Sequence, residues 1–279
     1  MTVIWVNGKL SKPEKAVVSP LDHGILVGDG VFETICVYDR VPFAWRRHYE
    51  RLLTSAAGLG LAVPASFELL KAANEVIASN DLDHARLRVT ITGGPGPLGS
   101  ERTDAPETVI VAIGTIPDWT DAEKCVVVPW RRNEYGATTG LKTISYAENV
   151  RALNYARLMG AGEAIFLNTR GNICEATGSN IFFVKDEVLV TPPLSSGCLA
   201  GVTRDLVLLL AKNLGISTSE QDLSFSVVSE VSEAFLTSTT REVQAIAQID
   251  DIIIPNSAED IVKHLSEAYT DLRRRECDP

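Results

Sequence analysis

The sequence predicts a mixed α/β chain of the α+β kind, folded as two domains. Three observations predict it. The chain has 279 residues, 45% hydrophobic and 22% charged, a globular composition, and at about 150 residues per domain this length suggests two. Strand-like alternation and helical apolar spacing are interspersed without strict β-α-β order. Finally, Ile116–Lys124, which carries Pro117, Asp118 and Asp121, reads as a linker. The expected division is a first domain over 1–117, a linker at 118–121 and a second domain over 122–279, with a cleft between α+β halves.

The elements follow in order. Val3–Val6 is a strand entering a hairpin at Asn7-Gly8. Phe32–Tyr38 alternates and is β-rich, hence a strand, and Trp45–Gly58 carries Leu52, Leu53, Ala56 and Ala57 on one helical stripe. Ser66–Ala78 is a helix behind Pro64, with Phe67, Leu70, Ala73 and Ile77 at spacings of three and four. Arg86–Thr92 and Thr108–Thr115 are strands separated by the Gly/Pro loop Gly93–Gly99. In the second half, strands are predicted at Cys125–Trp130, Ala164–Leu167, Asn180–Val184, Val188–Val190, Ala234–Thr237 and Val243–Ile249, and helices at Ala147–Met159, Val202–Asn213 and Ala258–Arg273. The charged residues after Arg273 read as a frayed, solvated tail.

Composition excludes several function classes. With 26 Lys+Arg against 36 Asp+Glu the net charge is −10, which argues against nucleic acid or an anionic membrane as partner. The five cysteines (Cys36, Cys125, Cys174, Cys198 and Cys277) include no C-x-x-C pair, so buried reduced thiols in a cytoplasmic protein are expected. MTVIWVNGKL lacks the pattern of a signal peptide, and the longest apolar run, Leu206–Ala211, falls far short of the roughly 20 residues of a membrane span. His23, His48, His84 and His264 fit no metal-ligand spacing, so no metal is expected. GDGVFE (Gly28–Glu33) lacks the third glycine of a dinucleotide loop, and neither a P-loop nor a G-x-S-x-G elbow is present.

Polarity placed beside predicted strands and helix starts is what remains. Lys142, in GLKTISYAEN, follows a Gly-rich stretch and precedes a helix, where a lysine is ordinarily a solvated loop charge. Glu175, in CEATGSNIFF, falls between two short β segments and reads equally as a turn carboxylate. LAGVTR (Leu199–Arg204) opens a helix whose free N–H groups suit an anion, or form an ordinary cap. Ser238–Arg241 sets three hydroxyls and a guanidinium at a strand end, as a second anion site or a turn.

The ordered set GDGVFET, H-x-x-R-L from His48 to Leu52, GLKTISYAEN, CEATGSNIF, LAGVTR and FLTSTTREV resembles the class IV aminotransferases, the fold-type IV pyridoxal-phosphate enzymes, from about Val3 to about Ile254. That family includes branched-chain and D-amino-acid aminotransferases, (R)-amine transaminases and aminodeoxychorismate lyase. The resemblance implies a two-domain fold-type IV enzyme with pyridoxal 5′-phosphate in the interdomain cleft. It implies Lys142 as the Schiff-base lysine, Tyr146 on the cofactor's ring hydroxyl, Glu175 on the pyridine nitrogen and Arg51 on the phosphate. Leu199, Val202, Thr203 and Thr239 complete the cofactor site, and Phe32, Thr34 and Thr240 face the substrate. A homodimer in the cytoplasm is implied too.

The reaction expected from the resemblance is transamination between an amino acid or amine and a 2-oxo acid. The alternative is release of pyruvate and 4-aminobenzoate by a 4-amino-4-deoxychorismate lyase, towards which Thr34 points. A non-catalytic pyridoxal-phosphate binder is the remaining reading. Against the lyase, Gly93–Arg102 carries Arg102 as its one arginine, late in the loop. Phe32, Val37 and Leu98 suggest walls for a small apolar substrate.

Overall fold

The computed structural model describes residues 2–255 and 261–279. The chain divides into two compact units: Met1–Pro117 with Leu141–Tyr146 and Glu276–Pro279, and Asp118–Gly140 with Ala147–Arg275.

The first unit contains β1 (Ile4–Val6), β2 (Lys9–Ser11), α1 (His23–Leu26), β3 (Gly30–Tyr38), β4 (Val41–Pro42), α2 (Trp45–Leu59), α3 (Ser66–Ala78), β5 (Ala85–Thr92) and β6 (Thr108–Gly114). Its antiparallel sheet has the order β2-β1-β6-β5-β3-β4. Alternation along β3 sends Val31, Ile35 and Val37 into a core shared with Leu52 and Ala56 of α2 and with Leu69, Ala73 and Val76 of α3. Phe32 and Thr34 take the opposite face. Val37 is therefore a core residue, fully buried, and not the substrate wall expected of it; Leu98 is 77% exposed and forms no wall either.

Two later pieces of chain complete this unit. The short β4 pairs only with Val37 and Tyr38, which leaves the start of β3 with an open edge. Residues 141–146 close it. The Phe32 N–H donates to the Lys142 carbonyl at 3.0 Å, the Ile144 N–H donates to the Gly30 carbonyl at 2.9 Å, and Val31 bridges Thr143. The last residues meet the start of α2, where Ala44, left-handed at φ 56°, offers no capping side chain. Asp278 Oδ1 accepts the Arg46 N–H at 3.0 Å, the Cys277 carbonyl accepts the Ala44 N–H at 2.7 Å, and Arg47 Nε donates to the Pro279 carbonyl at 2.7 Å. The expected fraying of the tail is thus overturned, because the tail supplies the cap that the helix lacks.

The second unit contains β7 (Ala122–Arg132), α4 (Ala147–Leu158), β8 (Glu163–Asn168), β9 (Ile173–Ala176), β10 (Asn180–Lys185), β11 (Val188–Thr191), α5 (Val202–Asn213), β12 (Thr218–Glu220), β13 (Glu233–Ser238), β14 (Glu242–Ile249), β15 (Ile252–Ile253) and α6 (Ile261–Arg275). The order is β12-β11-β10-β13-β14-β7-β8-β9, with β15 beside β14. Ile165, Ile181, Phe183, Leu236 and Ile246 fill its core. Strand β7 starts three residues before the predicted Cys125, since Ala122–Lys124 pairs in parallel with β14 and is not linker. The start of the predicted last helix, at Ala258, lies outside the described residues. Cys36, Cys125, Cys174 and Cys198 are buried free thiols, whereas Cys277 is exposed on the docked tail. Among the described residues no helix is long and apolar enough to cross a membrane.

The tail contact yields a stability test. Asp278→Ala should destabilise the protein by about 1 kcal/mol in urea unfolding, the usual cost of removing a helix cap, while Asp278→Asn should hold close to wild type because asparagine caps equally well.

Candidate active site

In the first unit, Glu33 and Phe32 leave β3 on opposite faces, and each organises a group of polar side chains. Glu33 is 1% exposed. It accepts two hydrogen bonds from Arg51, Nε to Oε1 at 2.8 Å and Nη2 to Oε2 at 2.7 Å, and its Oε2 lies 2.7 Å from His48 Nδ1. His48 and Arg51 stand one turn apart on α2, which is the physical content of the H-x-x-R spacing. Burial pushes the Glu33 pKa up, but Arg51 first and His48 second outweigh it and hold the carboxyl at about 2. Burial lowers the His48 pKa despite Glu33, so near pH 7 a neutral imidazole donates from Nδ1. The fork of Arg51 is engaged by Glu33 through Nε and Nη2, which uses two of the five N–H donors of a guanidinium.

On the Phe32 face, backbone contacts fix Lys142: its N–H donates to Ser55 Oγ at 3.0 Å and its carbonyl takes the Phe32 N–H. The Lys142 Nζ lies 4.3 Å from the Phe32 ring centre and 5.9 Å from that of Tyr146, and the two rings meet edge to face at 5.1 Å. Lys142, Tyr146, Phe32 and Thr34 are thereby gathered on one side of β3. They are joined by a residue that sequence reasoning missed. Arg88 of β5 pairs with Thr34, and its guanidinium sits 3.6 Å from the same Phe32 ring centre. The available signal was the Arg86-Leu-Arg88 alternation within a predicted strand, which by itself reads as a solvated face. Arg102 is bound to Asp29, Nε to Oδ2 at 2.7 Å, and donates to the Gly60 carbonyl at 3.1 Å; its charge is answered by Asp29.

In the second unit, Glu175 lies on β9 and not in a turn. Its Oε2 accepts the Leu199 N–H at 2.9 Å and its Oε1 lies 3.4 Å from Arg132 Nε. Arg132, also missed, is steadied by Asn149 Oδ1 at 3.2 Å and by the Phe166 ring at 4.2 Å; nothing in its sequence context marks it. Helix α5 starts from Gly201, an N-cap with no side-chain acceptor, so the N–H groups of Val202, Thr203 and Arg204 have no partner within the helix. A Cβ on Gly201 would lie 2.0 Å from Asn180 Oδ1, and Asn180 Nδ2 donates to the Leu199 carbonyl at 2.8 Å. Thr237, opposite Asn180 in the sheet, has a buried hydroxyl that makes no hydrogen bond among the described residues, as does Ser179. Thr239 and Thr240 form the turn after β13, and the Thr240 carbonyl accepts the Trp119 indole N–H at 2.7 Å. Uncapped amides, orphaned hydroxyls and a tight glycine suit a phosphate; an anchored carboxylate suits a protonated ring nitrogen.

Comparison with known proteins identifies the class as a transaminase. The family described as amino-transferase class IV matches residues 30–249, and the chain belongs to that family: it is an enzyme that moves an amino group between an amino acid or amine and a 2-oxo acid. Among its relatives, a Methanocaldococcus jannaschii protein assigned as a branched-chain-amino-acid aminotransferase is 36% identical over 98% of this chain and 96% of its own length. The branched-chain aminotransferase of Thermoproteus uzoniensis, solved with norvaline, superposes with a TM-score of 0.90 at 31% identity, covering 97% of this chain and 94% of that one. The T.th. branched-chain aminotransferase, solved with pyridoxamine 5′-phosphate, gives 0.89 at 29% identity over 97% and 93%.

The Glu33 cluster predicts an acid limb of stability. A carboxyl held at about 2 in the folded state, against an ordinary 4.5, contributes stability that is fully present above pH 4.5 and is lost as pH falls towards 2. Between pH 6 and pH 3 the wild type should lose about 2 kcal/mol of unfolding free energy from this source. Glu33→Gln should show a drop over the same interval that is smaller by about that amount.

Proposed function

We propose that this transaminase uses pyridoxal 5′-phosphate and transfers the amino group of a branched-chain or similarly apolar amino acid to a 2-oxo acid. What carries the reading is the placement of Lys142: its backbone is fixed on both sides, and its amine stands over an aromatic ring beside Tyr146 and Arg88. The relatives' activity and the cofactor form bound by one of them support it. Lys142 holds the cofactor covalently and afterwards serves as the base that moves the substrate Cα proton. When bound, the cofactor supplies the electron sink that lets this proton leave.

The remaining residues divide the other tasks. The Val202–Arg204 amides, Thr203, Thr239 and Arg51 bind the phosphate. Glu175, held by Leu199 and Arg132, keeps the ring nitrogen protonated, and Tyr146 donates to the ring hydroxyl. Phe32 and Thr34 border the substrate, and Thr240 meets its carboxylate. Arg88, a cation on the Lys142 side of the sheet, meets the second carboxylate of an acidic 2-oxo acid acceptor; an apolar donor packs instead on the Phe32 ring.

The enzyme works as a homodimer in the cytoplasm. Free buried thiols suit a reducing compartment. Val150, Leu158 and Met159 are 58%, 86% and 56% exposed along and just after α4, above a groove of about 550 Å³ lined in part by Trp130 and Tyr155, a surface that suits burial by a second copy. Light scattering of the purified protein reads the mass.

The decisive experiment is product analysis. With pyridoxal 5′-phosphate, a branched-chain amino acid and 2-oxoglutarate, the enzyme should form glutamate; with 4-amino-4-deoxychorismate it should release no 4-aminobenzoate. The opposite pattern would identify a lyase. Lys142→Ala should abolish turnover, losing at least the ~10²–10⁴-fold of a positioned base. Arg88→Leu should raise KM for 2-oxoglutarate about tenfold or more, with a much smaller change in KM for the apolar donor.

A further inference from the structure

The loop between β13 and β14 contains only Thr239, Thr240 and Arg241, because Ser238 pairs directly with Glu242. A three-residue hairpin loop of this kind closes on a left-handed residue, usually glycine. Here the closing residue is Glu242, at φ 53°, a conformation that costs a non-glycine residue on the order of 1 kcal/mol. Such a loop keeps its shape only if its surroundings over-determine it.

They do so from two directions. Arg241 is 7% exposed and reaches across β14 to carboxylates on two further strands. Its Nη1 donates to Glu123 Oε2 at 2.9 Å and its Nη2 to Glu163 Oε2 at 3.3 Å, and it also bonds Gln244. Glu163 is satisfied in addition by the Ala164 N–H at 2.9 Å and the Thr177 N–H at 3.2 Å. From the other side comes Trp119. Its ring centre lies 3.8 Å from the Arg241 guanidinium, and its indole N–H holds the Thr240 carbonyl. Gln244 Nε2 then ties the neighbouring Thr120 carbonyl at 2.7 Å.

The effect on the loop is geometric. The Thr240–Arg241 peptide is planar, and it is held at both ends: its oxygen by Trp119, and its N–H by Ser238 Oγ at 3.2 Å. With that plane fixed and Glu242 pinned beyond it, the Thr239–Thr240 peptide has little freedom left. An amide that must meet a carboxylate gains from this, since no ordering is left to be done on binding.

We propose that Trp119 and Arg241 are positioning residues that hold the Thr239–Thr240 backbone in the shape that receives the carboxylate of the amino donor. The inference rests on the assignment of this turn to the substrate under the proposed function. Neither residue touches the substrate itself.

The test uses Trp119→Phe, which keeps an aromatic ring beside Arg241 while removing the N–H to Thr240 and part of the ring surface. Arg241→Lys is the second variant, keeping the charge and losing the fork. On the cofactor-loaded enzyme, the KM for the amino donor and the Kd for 4-methylvalerate, an unreactive carboxylate read by its perturbation of the cofactor absorbance, should both rise about 3–10-fold in Trp119→Phe, the worth of one hydrogen bond. The kcat should stay within about twofold, and the melting temperature and the affinity of apoenzyme for pyridoxal 5′-phosphate should match wild type. Arg241→Lys should shift the same two constants at least as far. Unchanged KM and Kd in Trp119→Phe would overturn the proposal. So would losses in which kcat, cofactor affinity and melting temperature fall together, the mark of general unfolding. Failure of the wild-type enzyme to take up the cofactor or to transaminate would remove the underlying functional reading, and this inference with it, before any variant is made.

Discussion

The backbone pairing of residues 142–144 with the start of β3 is the constraint on which the chemistry proposed for Lys142 depends. A lysine side chain has four rotatable bonds and a strongly hydrated head, so it is a poor choice for a fixed reactive group unless its main chain is immobile. Here the Lys142 carbonyl and N–H are both engaged, by Phe32 and Ser55. The strand that anchors it is itself paired over eight residues with β5 and packed against α2 from below. The amine therefore inherits the rigidity of a sheet while standing on what looks, in sequence, like a loop. The same strand positions Phe32, and through it Arg88, so a single register fixes the lysine and its neighbours together.

Buried charge recurs wherever a functional segment has to be held. Glu33 joins α2 to β3 through Arg51 and His48; Glu175 is clamped by Arg132 and Leu199; Arg241 spans Glu123 and Glu163. None of these clusters is an efficient way to stabilise a fold, since apolar residues of similar volume do as well or better. What they provide is direction. A carboxylate with two or three donors has one low-energy orientation, and a guanidinium on an aromatic face has few, so the backbone segments carrying them are fixed in register.

Much of this was legible in the sequence, for identifiable reasons. Periods of two and of three to four place elements of the first unit because those elements are one-sided: β3 sends alternate residues to the core, and α2 buries a single stripe; in the second unit β8, β10 and β13 are buried on both faces and show instead as short apolar runs. The catalytic reading of Lys142 came from the order of six short segments rather than from its own surroundings, which resemble any solvated loop. Four things were hidden. Val37 looked like a pocket wall on its apolar character alone, although period-two alternation puts it on the face of β3 opposite Phe32. Arg88 and Arg132 looked like solvated charges because cation–π and ion-pair partners lie on strands remote in sequence. Glu175 looked like part of a turn because β9 has only four residues, too few to display a period. The docked tail was unreadable for the same reason as the arginines: its partner, the bare start of α2, is about 230 residues away.

That the first unit is assembled from three separated stretches of chain bears on how the molecule is made. Its sheet and both of its longer helices lie within the first 117 residues, but the strip that closes the edge of β3 arrives with residues 141–146 and the cap of α2 only with residues 276–279. At roughly 5–20 residues per second, the ribosome delivers that cap on the order of 10–30 s after the rest of the unit has emerged. The nascent half carries an exposed sheet edge for the first few seconds, until the strip emerges, and an uncapped helix throughout; an open edge is the feature that invites mispairing. An isolated fragment of residues 1–117 would carry the same defects permanently.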